Sequence, residues 1–267
     1  MTKANSETDM QAVATVARLA GDFALQHYGR NVSIETKGDG SPVTIADRGA
    51  EELARRWIQS RFPDDGIVGE EFGVIRPDAR RRWIIDPIDG TKSFVRTVPL
   101  WGTLVAIAEG DTVVAGAAYF PALGEIAVAA VGAGCWWNDN RCSVSTVSDV
   151  SLATVLTSDM QFTATPERRQ QWNAFSDRAA VSRTWGDCYG YLLVATGRAE
   201  VMADPVVSPW DIAAIMPLIT EAGGVFTSWD GDATAFGGSA IATNAALARE
   251  AREVLTSRRT PETAATP

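Results

Sequence analysis

The sequence predicts a layered α/β or α+β protein, because segments with helical periodicity alternate with short apolar runs along its 267 residues. Three β-like runs, at 100–108, 112–119 and 125–131, are separated by turn residues and predict an antiparallel meander. A helical pattern at 10–28 precedes the meander and another at 166–178 follows it. Strands that lie beside helices in this way indicate stacked layers of sheet and helix.

The other elements are predicted from apolar runs and from residues that begin or end helices. Gly29 is expected to end the first helix, and Thr44 is the predicted N-cap of a second helix that runs to Phe62. A short strand or a loop edge is expected at 34–37, and strands are expected at 67–68, 83–85, 150–158, 181–185, 201–204, 225–227 and 240–243. Further helices are expected at 191–196 and at 208–223.

The whole length, 1–267, is expected to form a single domain with an ample core. If the chain divides into subdomains, the boundary is predicted near residue 145, which gives segments 1–145 and 146–257. The polar stretch 258–267 is predicted to be a flexible tail.

Composition and charge exclude several classes of function. Hydrophobic residues make up 46% of the chain and charged residues 21%, as in globular soluble proteins. The net charge of −9 argues against a nucleic-acid surface. Residues 1–10 carry no signal-peptide pattern and no apolar run reaches membrane-spanning length, so we expect a cytoplasmic protein without a membrane partner.

Histidine and cysteine chemistry has little support in the sequence. Three cysteines without a CxxC pair indicate neither a disulfide framework nor a zinc site. The single histidine, His27, lies at the end of a helical pattern, where a surface histidine is expected. Carboxylates and metal ions are therefore the expected catalysts.

One motif carries the strongest chemical signal: the apolar run Trp83–Ile85 ends abruptly in Asp86-Pro87-Ile88-Asp89-Gly90-Thr91-Lys92. Two carboxylates at the end of a buried strand are costly unless they are protonated, paired or bound to metal. The N–H groups of residues 90–92 can bind phosphate if a helix or turn begins there. A hard divalent cation, with Mg²⁺ the best choice, would then bridge protein and phosphate. On this motif alone, ordinary Asp-Pro and Asp-Gly turns remain an equal alternative.

Further acidic residues stand where an apolar segment meets a loop: Asp47, Glu70, Glu71 and Asp211. Asp47 and Asp211 each occupy the third position of a predicted helix, so capping and a functional role are both open for them. Glu70 and Glu71 lie between glycines, where a solvated loop is the alternative. Many carboxylates without histidine or cysteine partners suit a hard, oxygen-preferring cation.

Three blocks together resemble the inositol monophosphatase family of Mg²⁺-dependent phosphatases over roughly residues 10–250: Gly69-Glu70-Glu71, Asp86 to Thr91, and Trp210-Asp211 with Glu221-Ala222-Gly223-Gly224. The resemblance implies an αβαβα sandwich of the inositol monophosphatase and fructose-bisphosphatase type, usually a homodimer. It also implies a phosphomonoesterase in which two or three Mg²⁺ ions activate water and clamp a small phosphate ester.

The same resemblance implies the metal ligands. They are Glu70, Asp86, the carbonyl of Ile88, Asp89 and Asp211. The first ion would be held by Glu70, Asp86 and Ile88, and the second by Asp86, Asp89 and Asp211. Glu70 would also contact a third, weaker ion.

Phosphate binding and proton transfer are implied for neighbouring residues. The N–H groups of Gly90 and Thr91 would bind phosphate oxygens. The Thr91 hydroxyl and Asp47 would form a relay for the activated water, so Glu70, Asp47 and Thr91 are the expected catalytic residues. Glu71 has the weakest case for a direct role.

Specificity is expected to depend on residues 185–191 and 204–208. Gly186-Asp187 followed by aromatic residues is similar to the histidinol-phosphate phosphatases of this family, and the block Trp83–Pro99 is similar to them too. Asp187 and Asp204 would pair with the ammonium and imidazole groups of histidinol phosphate, whereas inositol is neutral. Helix capping by Asp187 stays open, and the short side chain of Asp204 limits its reach.

The expected function is hydrolysis of L-histidinol phosphate to L-histidinol and phosphate, in histidine biosynthesis. The alternative enzyme is an inositol-1-phosphate phosphatase with broad specificity. The alternative of another class is a regulatory protein of the same fold that associates with RNA polymerase, against which the intact set of acidic residues argues.

Overall fold

The computed structural model describes residues 3–30, 34–36, 38 and 42–256. The first helix, α1 (Lys3–Leu25), begins at Lys3 rather than at residue 10, and Gly29 follows it with a positive φ of 70°. Small apolar side chains at helical spacing are fully buried along it, namely Val13, Val16, Ala17, Ala20 and Ala24. The predicted tail at 258–267 lies outside the described residues.

The second helix begins as the sequence predicts. Strands β1 (Ile34–Thr36) and β2 (Pro42–Thr44) pair antiparallel and lead into α2 (Ile45–Arg61). The Thr44 side chain accepts the N–H of Ala46, and the Asp47 carboxylate accepts the N–H of Thr44 at 2.7 Å. This capping box satisfies two backbone donors that would otherwise be left unpaired at the helix start.

An eight-stranded mixed sheet follows, in the order β10-β9-β8-β7-β6-β5-β3-β4. Its strands are β3 (Gly66–Gly69), β4 (Gly73–Ile75), β5 (Arg81–Asp89), β6 (Gly102–Glu109), β7 (Thr112–Phe120), β8 (Glu125–Ala130), β9 (Gly134–Trp137) and β10 (Asn140–Arg141). A one-turn helix, α3 (Thr91–Phe94), follows β5. Antiparallel pairing of β6, β7 and β8 confirms the predicted meander.

The second half of the chain builds a five-stranded sheet in the order β12-β11-β13-β15-β14. Its strands are β11 (Thr154–Leu156), β12 (Val181–Arg183), β13 (Val201–Asp204), β14 (Val225–Thr227) and β15 (Ala240–Thr243). The helices of this half are α4 (Pro166–Ser176), α5 (Cys188–Ala195), α6 (Pro209–Ile212), α7 (Ile215–Glu221) and α8 (Ala248–Leu255).

Three predictions for this half need correction. The helix expected at 208–223 is two helices, because Pro217 has no N–H to donate to the Ala213 carbonyl and its ring crowds that carbonyl. The strand expected at 150–158 is shorter, since Val150–Leu152 forms a 3-10 turn before β11. Helix α8 was not predicted, although it buries Ala251 and Leu255 on one face.

The helices and sheets form five layers, which pack against one another through three apolar clusters. The first lies between α1–α2 and the eight-stranded sheet and includes Trp83. The second joins both sheets through α5, α6 and α7, and Leu104 and Met202 are among its members. The third lies between the five-stranded sheet and α4 and α8, around Trp172. The order of layers is thus helix, sheet, helix, sheet, helix, which agrees with the predicted αβαβα sandwich.

The predicted boundary near residue 145 falls in the connection between the two sheets. A single domain over the whole chain stays a prediction. Within the described residues, no helix combines the length and the apolar character that a bilayer crossing needs.

Candidate active site

Three carboxylates converge at the carboxyl end of β5. One oxygen each from Asp86, Asp89 and Asp211 lies within 4.8 Å of the other two. Residues three apart on a regular strand point to opposite faces, but the register of β5 against β6 shifts between Asp86 and Asp89. This irregularity, which spans Pro87, turns both side chains toward one point.

Asp211 reaches the same point from the second half of the chain. It stands in the first turn of α6, where its Oδ2 accepts the N–H of Ser208 at 2.7 Å. Capping and membership of the acidic cluster, which the sequence left as alternatives, therefore coexist in one side chain.

Strand pairing places Glu70 beside Asp86. Strand β3 runs parallel to β5 with Gly69 opposite Ile85, and the N–H of Glu70 donates to the Ile85 carbonyl at 3.2 Å. The negative charge of Glu70 is one cause of the raised pKa of Asp86. The N–H of the next residue, Glu71, donates to the buried Glu51 carboxylate at 2.7 Å.

These residues line a cleft of about 230 Å³. Its lining residues are Pro42, Glu70, Asp86, Ile88, Asp89, Gly90, Thr91, Lys92, Asp187 and Asp211. The cleft thus brings together every predicted site residue except Asp47 and Asp204. It also includes the side chain of Lys92, which the sequence suggested only for its N–H group.

Asp47 joins the site through Thr91. The Thr91 hydroxyl lies 3.0 Å from the Ile88 carbonyl oxygen and 3.5 Å from Asp47 Oδ1, so its proton can turn toward either acceptor. Asp47 Oδ2 accepts both the N–H and the hydroxyl of Thr44. Burial raises the pKa of Asp47, and the charge of Glu70 adds to the rise.

Asp187 stands over the turn at Gly90, on the wall of the cleft. A Cβ added at Gly90, whose φ is 82°, would lie 3.0 Å from Asp187 Oδ2. Asp187 is the N-cap residue of α5, yet its side chain makes no capping hydrogen bond. The Cys188 N–H donates instead to Asp89 Oδ2 at 2.7 Å. The Asp187 carboxylate therefore faces the cleft rather than its own helix.

Asp204 lies behind the cleft, with only 3% of its surface exposed. Its carboxylate accepts hydrogen bonds from the Ser158 N–H at 2.8 Å, from the Ser158 hydroxyl at 2.7 Å and from the Tyr191 hydroxyl at 2.8 Å. The direct substrate contact predicted for Asp204 is not supported by this placement, because internal donors occupy both of its oxygens. Its negative charge instead acts on Asp187, whose pKa it helps to raise.

Burial and repulsion between neighbouring carboxylates both disfavour ionised carboxyl groups in the cleft. Burial raises the pKa of Asp86 and of Asp89 well above the ordinary range, and neighbouring carboxylates raise both further. Burial also raises the pKa of Asp211 to about 7 and that of Asp187 to about 6. Five carboxyl groups face one lysine in the cleft lining. A phosphate dianion would be repelled unless a cation offsets this charge.

The donor set fits a hard divalent cation. All side-chain donors of the Asp86, Asp89 and Asp211 cluster are carboxylate oxygens, which are the ligands that Mg²⁺ and Ca²⁺ prefer. Their spacing and burial hold negative charge in a place where only protonation or a bound cation can relieve it.

Comparison with known proteins identifies the family. The profile of the inositol monophosphatase family matches residues 5–263. The chain belongs to this family.

Two relatives named histidinol-phosphatase are similar over nearly their full length. The protein of Chlorobaculum parvum is 41% identical over 90% of this chain and 94% of its own. That of Mycobacterium tuberculosis is 39% identical over 91% and 95%. The solved structure of a Thermotoga maritima IMPase superposes with a TM-score of 0.83 at 30% identity and covers 93% of this chain and 96% of that one.

Membership of the inositol monophosphatase family makes the protein a phosphoric monoester hydrolase that acts on a phosphate ester. The predicted fold class is confirmed. The expected similarity to the histidinol-phosphatase members of the family is confirmed as well. The role of each site residue stays a prediction from the sequence. The geometry described above specifies where each of these side chains lies.

Proposed function

We propose that this protein is a Mg²⁺-dependent phosphatase that hydrolyses L-histidinol phosphate to L-histidinol and phosphate. The observation that carries the proposal is the cluster of three carboxylates, whose oxygens lie within 4.8 Å of one another on the wall of the cleft. The names of relatives about 40% identical support the choice of substrate.

The proposed ligands of the cations are the residues that the sequence suggested. Glu70, Asp86 and the Ile88 carbonyl would hold one Mg²⁺, Asp86, Asp89 and Asp211 would hold a second, and Glu70 is available to a third. Bound Mg²⁺ supplies activation of water and neutralisation of charge on the phosphoryl group.

The chain itself provides a route for the proton of the attacking water. Thr91 Oγ1 can accept that proton while its own proton passes to Asp47 Oδ1, 3.5 Å away. Burial raises the pKa of Asp47, which makes it a stronger base than an exposed aspartate. The hydrogen bonds from Thr44 to Asp47 Oδ2 fix the carboxylate so that Oδ1 faces Thr91.

The phosphate is held by the turn that follows β5. Gly90 has a positive φ of 82°, which lets the chain turn sharply at the edge of the cleft. The N–H groups of Gly90 and Thr91 are proposed to donate to phosphate oxygens, and the ammonium group of Lys92 adds positive charge at the same edge.

Asp187 is the proposed determinant of specificity. Its carboxylate lines the cleft close to Gly90 and caps no helix. With a pKa of about 6 it is mostly ionised near neutral pH, so it can pair with the ammonium group of histidinol phosphate. Asp204 then serves behind it as a fixed charge rather than as a direct contact. Inositol phosphate offers no cation to either group.

A substrate panel tests the proposal. Phosphate release from histidinol phosphate and from inositol 1-phosphate is measured with Mg²⁺ and with EDTA. We expect Mg²⁺-dependent turnover with a higher kcat/KM for histidinol phosphate. Equal or greater activity on inositol 1-phosphate would reject the substrate assignment, and activity in EDTA would reject the metal assignment.

The Asp187→Ala variant isolates the specificity element. We expect its KM for histidinol phosphate to rise by about tenfold or more, as for loss of one charge-assisted hydrogen bond. The neutral ester inositol 1-phosphate is the matched control, and its KM is expected to change much less. An equal rise for both esters would assign Asp187 a structural role only.

Inositol-1-phosphate hydrolysis with broad specificity remains the second candidate. The observation in its favour is the match to the Thermotoga maritima IMPase structure at 30% identity. A homodimer and a cytoplasmic location stay predictions from the sequence.

A further inference from the structure

A buried ion pair in α2 lies directly behind the acidic cleft. Arg55 Nε donates to Glu51 Oε1 at 2.7 Å, and their side chains are 7% and 0% exposed. Removing two charges from water costs several kcal/mol, which further hydrogen bonds help to offset. Among the described residues, Arg55 Nη1 has no hydrogen-bond partner, but the other polar atoms of the pair do. The other hydrogen-bond partners of Glu51 and Arg55 therefore indicate the role of this ion pair.

Those partners are the backbone of the loop that carries Glu70. The Glu51 carboxylate accepts the N–H of Glu71 at 2.7 Å and that of Phe72 at 3.2 Å. Arg55 Nη2 donates to the Gly73 carbonyl at the far end of the same loop. Three successive residues after Glu70 are thus tied to one buried pair.

The approach of α2 to this loop leaves no spare space. A Cβ added at Gly69 would lie only 2.0 Å from Glu51 Oε1 and 2.7 Å from Arg55 Nη2. Gly69 immediately precedes Glu70 and pairs with Ile85 of β5, next to Asp86. The contact therefore determines where Glu70 leaves the sheet.

The same helix also carries Asp47, one turn before Glu51. Residues four apart lie on one face of a helix, and on this face Asp47 meets Thr91 while Glu51 meets the loop after Glu70. Helix α2 therefore contacts both sides of the cleft through two carboxylates.

We propose that Glu51 is a positioning residue for Glu70, and that its hydrogen bonds to the loop at 71–72 set the affinity of the site for Mg²⁺. This inference rests on the proposed Mg²⁺-dependent function. The side chain of Glu70 lies close enough to Asp86 for its charge to raise the pKa of Asp86, so the position of the loop decides how Glu70 meets the cluster. The buried bonds from Glu51 hold Glu70 in place before a cation arrives. Groups that orient metal ligands in this way typically change metal affinity by about 10- to 100-fold when they are mutated.

Direct Mg²⁺ binding by the full chain, measured calorimetrically, tests the proposal. The Glu51→Gln variant keeps the size of the side chain but replaces one acceptor oxygen with an NH₂ group that opposes a backbone N–H. We expect its Kd for Mg²⁺ to rise about 10- to 100-fold. We also expect kcat at saturating Mg²⁺ to stay within a few-fold of the wild type, because Glu51 touches neither substrate nor metal.

Glu52→Gln is the matched control. Glu52 makes the same i,i+4 ion pair on the same helix, with Arg56, but both side chains are exposed. Its substitution is expected to leave the Mg²⁺ affinity unchanged. A Kd for Glu51→Gln equal to that of this control would overturn the inference. A wild-type protein that binds no Mg²⁺ would instead overturn the proposed function on which it rests.

Hydrogen exchange of the wild-type protein provides a test that does not depend on the folding of a variant. In metal-free protein we expect the amides of Glu71 and Phe72 to be protected before Mg²⁺ is added. Exchange of both amides at unprotected rates would show that Glu51 does not hold the loop, and would overturn the proposal.

Discussion

Stability of the metal-free protein is expected to fall as the pH rises from 5 to 8. Asp211 is the best group with which to work this out, because burial and the charges of Glu70, Asp204 and Asp187 raise its pKa from 3.8 to about 7. A carboxyl group whose pKa is raised on folding binds its proton more tightly in the folded state. The folded state then holds more protons than the unfolded state between pH 3.8 and about 7, so stability is lost as the pH rises through this window.

The size of the effect follows from the shift in pKa. Moving a carboxyl pKa from 3.8 to about 7 corresponds to about 4 kcal/mol over the full titration. Roughly 3 kcal/mol of this loss falls between pH 5 and 8. Asp86, Asp89 and Asp187 act in the same direction, because burial raises the pKa of each. Added Mg²⁺ should restore about 2.7 kcal/mol at a hundredfold excess over its Kd.

Urea denaturation in EDTA at several pH values between 5 and 8 measures this loss, and a second series contains Mg²⁺. Asp211→Asn is the control, since the amide cannot titrate while its oxygen can still accept the Ser208 N–H. The variant should lose less stability than the wild type across the same range, because one of the clustered carboxyl groups no longer titrates.

Two results would refute this reasoning. Metal-free stability that stays flat or rises between pH 5 and 8 would show that the clustered carboxylates do not hold protons at the lower pH. A pH dependence of Asp211→Asn identical to that of the wild type would show that Asp211 does not contribute.

Three further predictions concern single substitutions. Asp86→Asn should reduce kcat to below about a tenth of the wild-type value while circular dichroism stays unchanged, because it replaces one carboxylate oxygen and the negative charge of the proposed shared cation ligand. Thr91→Val should lower kcat by about 100-fold with little change in KM, since it removes the hydroxyl that faces Asp47; a near-normal kcat would reject the relay. Gly116→Ala should lower the free energy of unfolding by about 3 kcal/mol, as its Cβ would lie 2.2 Å from the Ala214 carbonyl oxygen; an unchanged urea midpoint would contradict this.

Local sequence signals predicted most of the elements. Apolar runs separated by turn residues identified the meander, and Thr44 with Asp47 identified the start of α2, because both signals depend on residues a few positions apart. Helices were less certain where two signals competed. Pro217 predicts a break, but the apolar spacing on both sides of it suggested one continuous helix. Helix α8 was not predicted, although its buried residues Ala251 and Leu255 lie at helical spacing.

The candidate site was predictable only in part. The composition of the acidic motifs indicated a cation, but convergence of Asp89 and Asp211 depends on the packing of two sheets, which no local pattern encodes. Asp204 was expected to contact substrate because the resemblance places a substrate-binding acidic residue there, yet the donors that occupy it come from a distant loop and from α5. No role near the site was predicted for Glu51, because an ion pair at i,i+4 on a helix is usually a surface feature.

The hydrogen bond from the Cys188 N–H to Asp89 has a consequence for the order of folding. This hydrogen bond joins groups 99 positions apart in the chain. The Asp89 side chain thereby accepts the first N–H group of α5, a helix in the other half of the protein. Contacts so distant in sequence form only after the intervening loops have closed. The proposed cation site is therefore completed late, so Mg²⁺ should slow unfolding and leave the refolding rate unchanged. Stopped-flow refolding that accelerates with Mg²⁺ would contradict this order.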